Sequence, residues 1–172
     1  MRITATRRRL LTVAALLGIV SLGLLAPASA QSPASREARN KQLIQAAFDH
    51  WAAGTGNFFD LLADDVQWTI MGSSAYSKTY PNKQQFLDQA ATPLTIRLAT
   101  PLVPKVRHLY ADGDVVVAIW EGTATAKDGQ PYRNTYCWVM TLKSGRITHA
   151  TAFLDLMPYL DVLQRIPAPA SH

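Results

Sequence analysis

The sequence predicts an α+β domain in which three N-terminal helices pack on one face of a curved antiparallel sheet. Helical periodicity is confined to the first half of the chain that follows residue 30, and runs of β-branched and aromatic residues fill the second half. Residue pairs ending in glycine separate those runs, as between antiparallel neighbours. A sheet curved around helices leaves an apolar concavity, where small ligands commonly bind.

The first 30 residues are expected to be a signal peptide. Arginines at 7–9 precede an apolar stretch over 10–25, and residues 28–30 read Ala-Ser-Ala, a small-x-small cleavage pattern. The stretch is short for a membrane span, which needs about 20 apolar residues. We expect cleavage before Gln31, by the general or the twin-arginine route. The protein is then exported, periplasmic or secreted, with no membrane contact after cleavage.

The rest of the chain is almost neutral. Four of its 17 basic residues lie in the first 30, which leaves 13 against 12 acidic residues, or about +1. No Lys/Arg cluster remains, so no nucleic-acid partner is expected. The single cysteine, Cys137, cannot form an internal disulfide. No HxH, HExxH, CxxC or glycine-rich phosphate loop occurs, so we expect neither a metal nor a cofactor.

The first helix is expected over 36–54, after a flexible leader over 31–37. Its apolar residues Ile44, Phe48 and Trp51 fall on one face at helical spacing. This face is expected to pack on the sheet.

Two further helices and an early strand follow. A short helix is expected over 57–65, capped by Asn57, and a strand over 66–70. The third helix is expected over 82–91, because Asn82 is placed to cap it.

Four long strands complete the domain, over 103–111, 114–126, 131–142 and 146–155, followed by a flexible tail over 164–172. The pairs between the strands are typical of hairpin turns. They are Asp112-Gly113, Asp128-Gly129 and Ser144-Gly145.

One pattern spans residues 38–163: a helix, LLADDVQW, a second capped helix, YADGDVVVAIWEGTA and YRNTYCWVMTLKSGRITHATAFLD. It resembles the SnoaL-like branch of the nuclear-transport-factor-2-like (NTF2-like) superfamily, and more closely its ketosteroid-isomerase-related proteins. The resemblance implies a cone-shaped cavity, a homodimer formed through the sheet, and diverse functions. Function must therefore be argued from the site.

The steroid isomerases of this superfamily use an aspartate base, and a tyrosine with a protonated aspartic acid as the oxyanion hole. Ile70 stands near the position of that base, Cys137 near that of the neutral acid, and Ala46 or Ala47 near that of the tyrosine. Steroid isomerisation by this mechanism is therefore not expected.

Asp155 is the first candidate for acid/base chemistry. It resembles in placement the late aspartate of SnoaL-type polyketide cyclases. With Arg133 it also resembles part of the Asp-Arg-Asp relay of limonene epoxide hydrolases, although Thr135 stands where a second acid would be. Apolar neighbours would desolvate the carboxyl. The alternative is that Asp155 caps the segment that follows it.

His108 is the second catalytic candidate, as a proton-transfer partner for Asp155. The alternative is a core or edge histidine. If Asp155 points into the cavity, Phe153 does too, because side chains alternate along a strand. An isomerase-like register would also place Trp120, His108 and Tyr110 inward.

Aromatic residues are expected to line the ligand pocket, and the alternative for any one of them is a position in the core or in a sheet-to-sheet dimer contact. They favour an apolar, ring-containing ligand over a sugar or a phosphate. On the third long strand, either the set with Tyr132, Asn134 and Tyr136 or the set with Arg133 and Thr135 faces the cavity. The predicted pocket residues are Trp51, Trp68, Trp120, Tyr136 and Phe153.

Two functional hypotheses follow. The first is an exported pocket protein that binds a small apolar molecule, with cofactor-free acid/base chemistry of isomerase, cyclase or hydrolase type. The second is a non-catalytic ligand-binding or dimeric scaffolding module.

Overall fold

The computed structural model describes residues 32–168. The expected signal peptide and the last four residues of the tail lie outside this range. The elements are α1 (Pro33–Ala52), a 3-10 turn (Phe58–Leu61), β1 (Leu62–Ile70), β2 (Thr79–Tyr80), α2 (Lys83–Phe86), a π turn (Leu87–Ala91), α3 (Thr92–Thr95), β3 (Val103–Asp112), β4 (Val115–Thr125), β5 (Pro131–Lys143), β6 (Arg146–Leu154) and α4 (Leu156–Arg165). The α+β class and the order of helices before strands agree with the prediction, and α4 is an additional helix after the last strand.

The helix starts are set by side-chain caps. Ser32 Oγ accepts a hydrogen bond from Ser35 N at 3.3 Å, and proline occupies the first helical position. Residues 33–37 are therefore helical, which corrects the flexible leader expected there. Asn82 caps α2 as predicted, because its Oδ1 accepts from Gln85 N at 2.8 Å.

The second expected helix is a single 3-10 turn capped by Asn57. The residues after the turn begin β1, where Leu62, Val66 and Trp68 are buried. Burial of those three side chains against the helices outweighs the local helical pattern.

The six strands lie in the order β2-β1-β6-β5-β4-β3. Strands β3 to β6 form the predicted antiparallel meander, but β1 pairs with β6 in parallel. The sheet is therefore mixed, which corrects the expectation of a wholly antiparallel one. Each hairpin reverses the chain, whereas the long connection after β1 leaves the direction of the later strands unconstrained.

The predicted turns lie where strands reverse. Ser144 and Gly145 both have positive φ, 51° and 77°, and join β5 to β6 as a two-residue connection. Gly113 and Gly129 also have positive φ, at the other two hairpins.

The helices cover one face of the sheet, here called the inner face. Ile44 and Phe48 of α1, Phe86 of α2 and Tyr159 of α4 belong to one buried cluster with the inward side chains of the strands. In the part of the chain that the structure describes, no helix is both long enough and apolar enough to cross a membrane.

A β-bulge in β3 changes which of its residues face inward. Val106 pairs with Trp120 and His108 with Ile119, so Arg107 is an extra residue. Beyond the bulge Leu109 and Ala111 pack on the core, while His108 is exposed. The predicted inward placement of His108 was wrong for this reason, and that of Tyr110 fails with it, because a one-residue shift reverses the two faces.

Candidate aromatic ligand site

A cavity lies between the inner face and the helices. The space within it that the centre of a water-sized sphere can occupy is about 80 Å³. Aromatic and aliphatic side chains make up nearly all of its wall. The residues around it are Trp51, Phe59, Trp68, Ile70, Phe86, Ala90, Ala91, Leu94, Thr95, Leu102, Trp120, Tyr136, Trp138, Ala152, Leu154 and Tyr159.

All four tryptophans of the chain are on this wall. Trp138 meets Trp68 and Trp120 edge to face, with ring centroids 5.0 Å and 4.7 Å apart. Trp51 meets Trp120 in the same way at 5.3 Å. Edge-to-face contacts suit the charge distribution of aromatic rings and hold each indole in one orientation. The result is a stiff wall of ring faces and edges.

Gly122 creates the space for the closest stacking on the wall. Trp120 and Tyr136 are parallel within 7°, with centroids 3.9 Å apart. A Cβ added at Gly122 would lie 3.1 Å from each of these rings and 3.0 Å from Leu102 Cδ1. No larger residue fits at position 122 unless these three side chains move.

A buried hydrogen-bond network joins β5 to the start of α4. Asn134 Nδ2 donates to Asp155 O at 2.8 Å and to Tyr132 Oη at 3.0 Å, and Asn134 Oδ1 accepts from Asp155 N at 3.1 Å. Tyr132 Oη and Tyr136 Oη are 2.7 Å apart. Tyr132, Asn134 and Tyr136 are therefore the inward set of β5. Tyr136 brings this network to the cavity wall.

The tyrosines of this region stay protonated. Burial raises the pKa of Tyr136 well above its usual range, and the neighbouring Tyr132 hydroxyl adds to the increase. Burial likewise raises the pKa of Tyr132 and of Tyr159. The Tyr159 hydroxyl donates a hydrogen bond to Ala90 O at 3.0 Å. The polar groups of the wall are therefore neutral at ordinary pH.

Asp155, the first catalytic candidate, is the N-cap of α4. Its Oδ1 accepts from Met157 N at 3.0 Å, and its side chain is exposed instead of desolvated. Asp155 is not on the cavity wall, which contains no Asp, Glu, His, Lys or Arg among the described residues. The capping alternative therefore accounts for its position, and a catalytic role for Asp155 stays a prediction.

His108, the second catalytic candidate, lies away from both Asp155 and the cavity. It is exposed on the outer face of β3, where its ring lies beside that of Tyr110, with centroids 6.0 Å apart. Strand β3 is three positions from β6 in the sheet, a lateral separation of about 14 Å. The structure does not bring the predicted acid/base pair together.

Four of the five predicted pocket residues lie on the wall: Trp51, Trp68, Trp120 and Tyr136. The placement of Phe153 is corrected, since its side chain is 45% exposed on the outer face. The inward residues of β6 are Ala152 and Leu154, which alternate with Phe153. Phe153 was expected on the inner face because Asp155 was assumed to point inward. Since Asp155 points outward, the side chains of β6 that face inward are those one residue away.

Apart from Trp51, sequence reasoning missed the part of the wall that the helices contribute, including Phe86, Ala90 and Leu94. It named Asn134 only as a member of one strand face and not as the centre of a hydrogen-bond network, although an asparagine between two tyrosines of one face was a signal, because asparagine is depleted within strands. Tyr159 was missed because the helix that carries it was not predicted.

A comparison with protein families matches residues 44–150 to the SnoaL-like domain. The chain belongs to the SnoaL-like family. The match covers more than half of the chain and lies within the 38–163 expected from the sequence pattern. A comparison with curated proteins gave no match.

Solved structures show the same fold. An NTF2-like protein from Burkholderia thailandensis E264 is 18% identical, with a TM-score of 0.56 over 73% of this chain and 97% of that one. A candidate SnoaL-like polyketide cyclase from Jannaschia sp. CCS1 is 17% identical, with a TM-score of 0.59 over 80% and 99%. IdmH, a candidate polyketide cyclase from Streptomyces antibioticus, is 16% identical, with a TM-score of 0.56 over 73% and 99%. At these identities the likeness shows the fold, which is that of the NTF2-like superfamily.

Family membership supports a function of ligand-binding or cyclase/isomerase kind. The choice within that range depends on the chemistry of the cavity wall.

Proposed function

We propose that this SnoaL-like domain binds a small, uncharged, apolar, ring-containing molecule in the aromatic cavity. The observation that carries the proposal is the wall itself, which combines four tryptophans with aliphatic side chains and lacks charged residues among those described. Apolar pockets with few polar groups are the usual sites for small molecules. Flat ring faces give such a ligand large contact areas.

A charged ligand is disfavoured on the same grounds. Transfer of an ion from water into an apolar cavity is strongly unfavourable unless an opposite charge or several hydrogen bonds compensate. Residues 32–168 also contain no cluster of three His, Cys, Asp or Glu side chains suited to hold a metal ion. The polar side-chain groups of the wall residues are uncharged: the hydroxyls of Tyr136, Tyr159 and Thr95 and the indole N–H groups of the tryptophans.

If the domain also catalyses a reaction, the wall supports hydrogen bonding to the reacting molecule without a carboxylate base. Tyr136 and Tyr159 are the ionisable residues of the wall among those described, and both have a raised pKa. A neutral phenol polarises a carbonyl but is a poor base. Binding is therefore the primary proposal, and chemistry of cyclase or isomerase kind is the second.

Export and dimerisation remain proposals alongside this function. The composition of residues 1–30 supports export. The outer face of the sheet supports a homodimer, because it leaves Val117, Ile119, Cys137 and Val139 half-buried and Phe153 exposed within one chain. An apolar sheet face of this kind is suited to a second copy.

Tryptophan fluorescence and calorimetry test the proposed binding. Indane, an uncharged bicyclic hydrocarbon, is expected to bind and to change the fluorescence of the four wall tryptophans. The anion indane-2-carboxylate is expected to bind at least tenfold more weakly, because the wall offers no counter-charge.

Cavity-filling variants test whether indane binds in this cavity. Ala152→Phe adds a ring on the wall, and Ala91→Leu is a milder filling variant; each is expected to weaken indane binding at least tenfold. Ala46→Phe adds a ring on the exposed face of α1 and serves as the control. Absence of indane binding to the wild-type protein, or equal binding to the filled variants, would contradict the proposal.

A further inference from the structure

We propose that the ligand carries an uncharged acceptor oxygen, in the simplest case a carbonyl, and that Tyr136 donates a hydrogen bond to it. This inference rests on the proposed function, because it names the class of molecule that the same cavity takes. Its basis is the direction of the hydrogen bonds in the buried network of Asn134, Tyr132 and Tyr136.

The orientation of the Asn134 amide is set by backbone donors. Thr135 N and Asp155 N lie 2.7 Å and 3.1 Å from the same side-chain atom of Asn134. Backbone N–H groups only donate, so this atom is the amide oxygen. The amide nitrogen then faces Asp155 O and Tyr132 Oη, at 2.8 Å and 3.0 Å, and its two protons are both used.

The hydrogen bond between the two tyrosines follows from that orientation. Tyr132 Oη already accepts from Asn134, and the side chain of Tyr132 is buried. Within residues 32–168 the other hydrogen-bond partner of this hydroxyl is Tyr136, 2.7 Å away. If Tyr136 were the donor, the proton of Tyr132 would be buried without an acceptor, which is unfavourable. Tyr132 is therefore the donor and Tyr136 the acceptor.

This direction leaves the proton of Tyr136 without an acceptor in the described part of the chain. Tyr136 is 6% exposed and lies on the cavity wall, stacked on Trp120. Its raised pKa keeps the proton on the hydroxyl. Because each bond in a donor chain polarises the next, the hydroxyl at the end of the chain is a strengthened donor. A ligand acceptor oxygen would satisfy it.

Trp120 carries a second donor without an acceptor on the same wall. Its indole Nε1–H is buried on the same wall and makes no hydrogen bond within residues 32–168. Two other buried side-chain nitrogens in this range share that property, but both belong to guanidinium groups, Arg36 and Arg165, that form ion pairs. Two buried residues of the wall thus each carry a donor without an acceptor in this range. A ligand whose acceptor oxygen reaches these donors complements the wall better than a hydrocarbon does.

The comparison of indane with 1-indanone tests this inference. The two molecules share one bicyclic frame and differ by a CH2 group against a C=O group. In Tyr136→Phe, the affinity for 1-indanone is expected to fall by about 2- to 12-fold, the range for one net hydrogen bond. The affinity for indane is expected to stay within about twofold, because the ring that packs against it remains.

Tyr80→Phe is the matched control. Tyr80 is 1% exposed, its hydroxyl donates to Tyr76 O at 2.9 Å, and it is absent from the cavity wall. This variant is expected to leave the ratio of the two dissociation constants unchanged. Infrared spectroscopy adds a direct measurement, because the C=O stretch of bound 1-indanone is expected to shift to lower frequency in the wild type and to lose that shift in Tyr136→Phe.

The outcomes separate the two proposals. If neither molecule binds, the proposed function fails, and this inference fails with it. If both bind but Tyr136→Phe changes the ratio no more than Tyr80→Phe does, the inference is overturned and the proposed function stands. If Tyr136→Phe does not fold, the wild-type spectrum decides, and an unshifted C=O stretch overturns the inference.

Discussion

Replacing Asn134 with alanine removes the amide that joins β5 to the start of α4. The side chain is 6% exposed and makes three hydrogen bonds to Asp155 and Tyr132, at 2.8 Å, 3.0 Å and 3.1 Å. At a net value of about 1 kcal/mol each, their loss is expected to lower the free energy of unfolding by about 3 kcal/mol. For a domain of this size that corresponds to a fall in Tm of roughly 10 °C.

Asn82→Ala is the control for this prediction. It also removes an asparagine side chain that accepts a backbone N–H, but at a helix start, where the expected cost is about 1 kcal/mol. Urea unfolding followed by circular dichroism measures both variants. If Asn134→Ala costs no more than Asn82→Ala, the buried amide does not hold β5 to α4, and the direction assigned to the hydrogen bond between Tyr132 and Tyr136 is contradicted.

Three further predictions concern Asp155, the buried tyrosines and the oligomeric state. Asp155→Ala is expected to lower the free energy of unfolding by about 1 kcal/mol and Asp155→Asn by only a few tenths, because asparagine also caps helices. If Asp155→Asn loses turnover of a confirmed substrate but keeps its affinity, Asp155 is catalytic. The raised pKa of Tyr132 and Tyr136 stabilises the fold fully below pH 10, the usual tyrosine value, and this contribution is lost as pH rises through their folded pKa values. The free energy of unfolding is thus expected to fall above pH 10 by up to about 1.4 kcal/mol per pH unit for each tyrosine, and a flat profile from pH 9 to 11 in urea unfolding would count against their burial. The purified protein is expected to sediment as a dimer at micromolar concentration, and a monomer would refute the homodimer.

Much of the architecture was predictable because its signals are local. Gly113, Gly129 and Gly145 mark hairpins, since a positive φ favours glycine wherever the rest of the chain lies. Asn82 marked a helix start by the same kind of local chemistry. These signals, together with the family pattern, were sufficient to predict the fold class and the SnoaL-like family.

The candidate site was predictable only in part, because the face of the sheet to which a side chain points depends on strand register. Trp120 and Tyr136 were correctly expected at the wall, in strands that alternate without interruption. His108 was misplaced because one extra residue, Arg107, bulges from β3 and reverses the faces beyond it. Phe153 was misplaced because Asp155 turns outward to cap α4.

The sequence by itself determined the hairpin turns, the cap of α2 and the α+β class, because each depends on residues close together in the chain. The family followed from a pattern of such local features along residues 38–163. Only the tertiary structure decided that β1 lies parallel to β6, that all four tryptophans meet on one wall, and that Asn134 orients two tyrosines. These features join residues far apart in sequence, and their geometry depends on how the layers pack. The hydrogen bond between the Tyr132 and Tyr136 hydroxyls is one result of that packing.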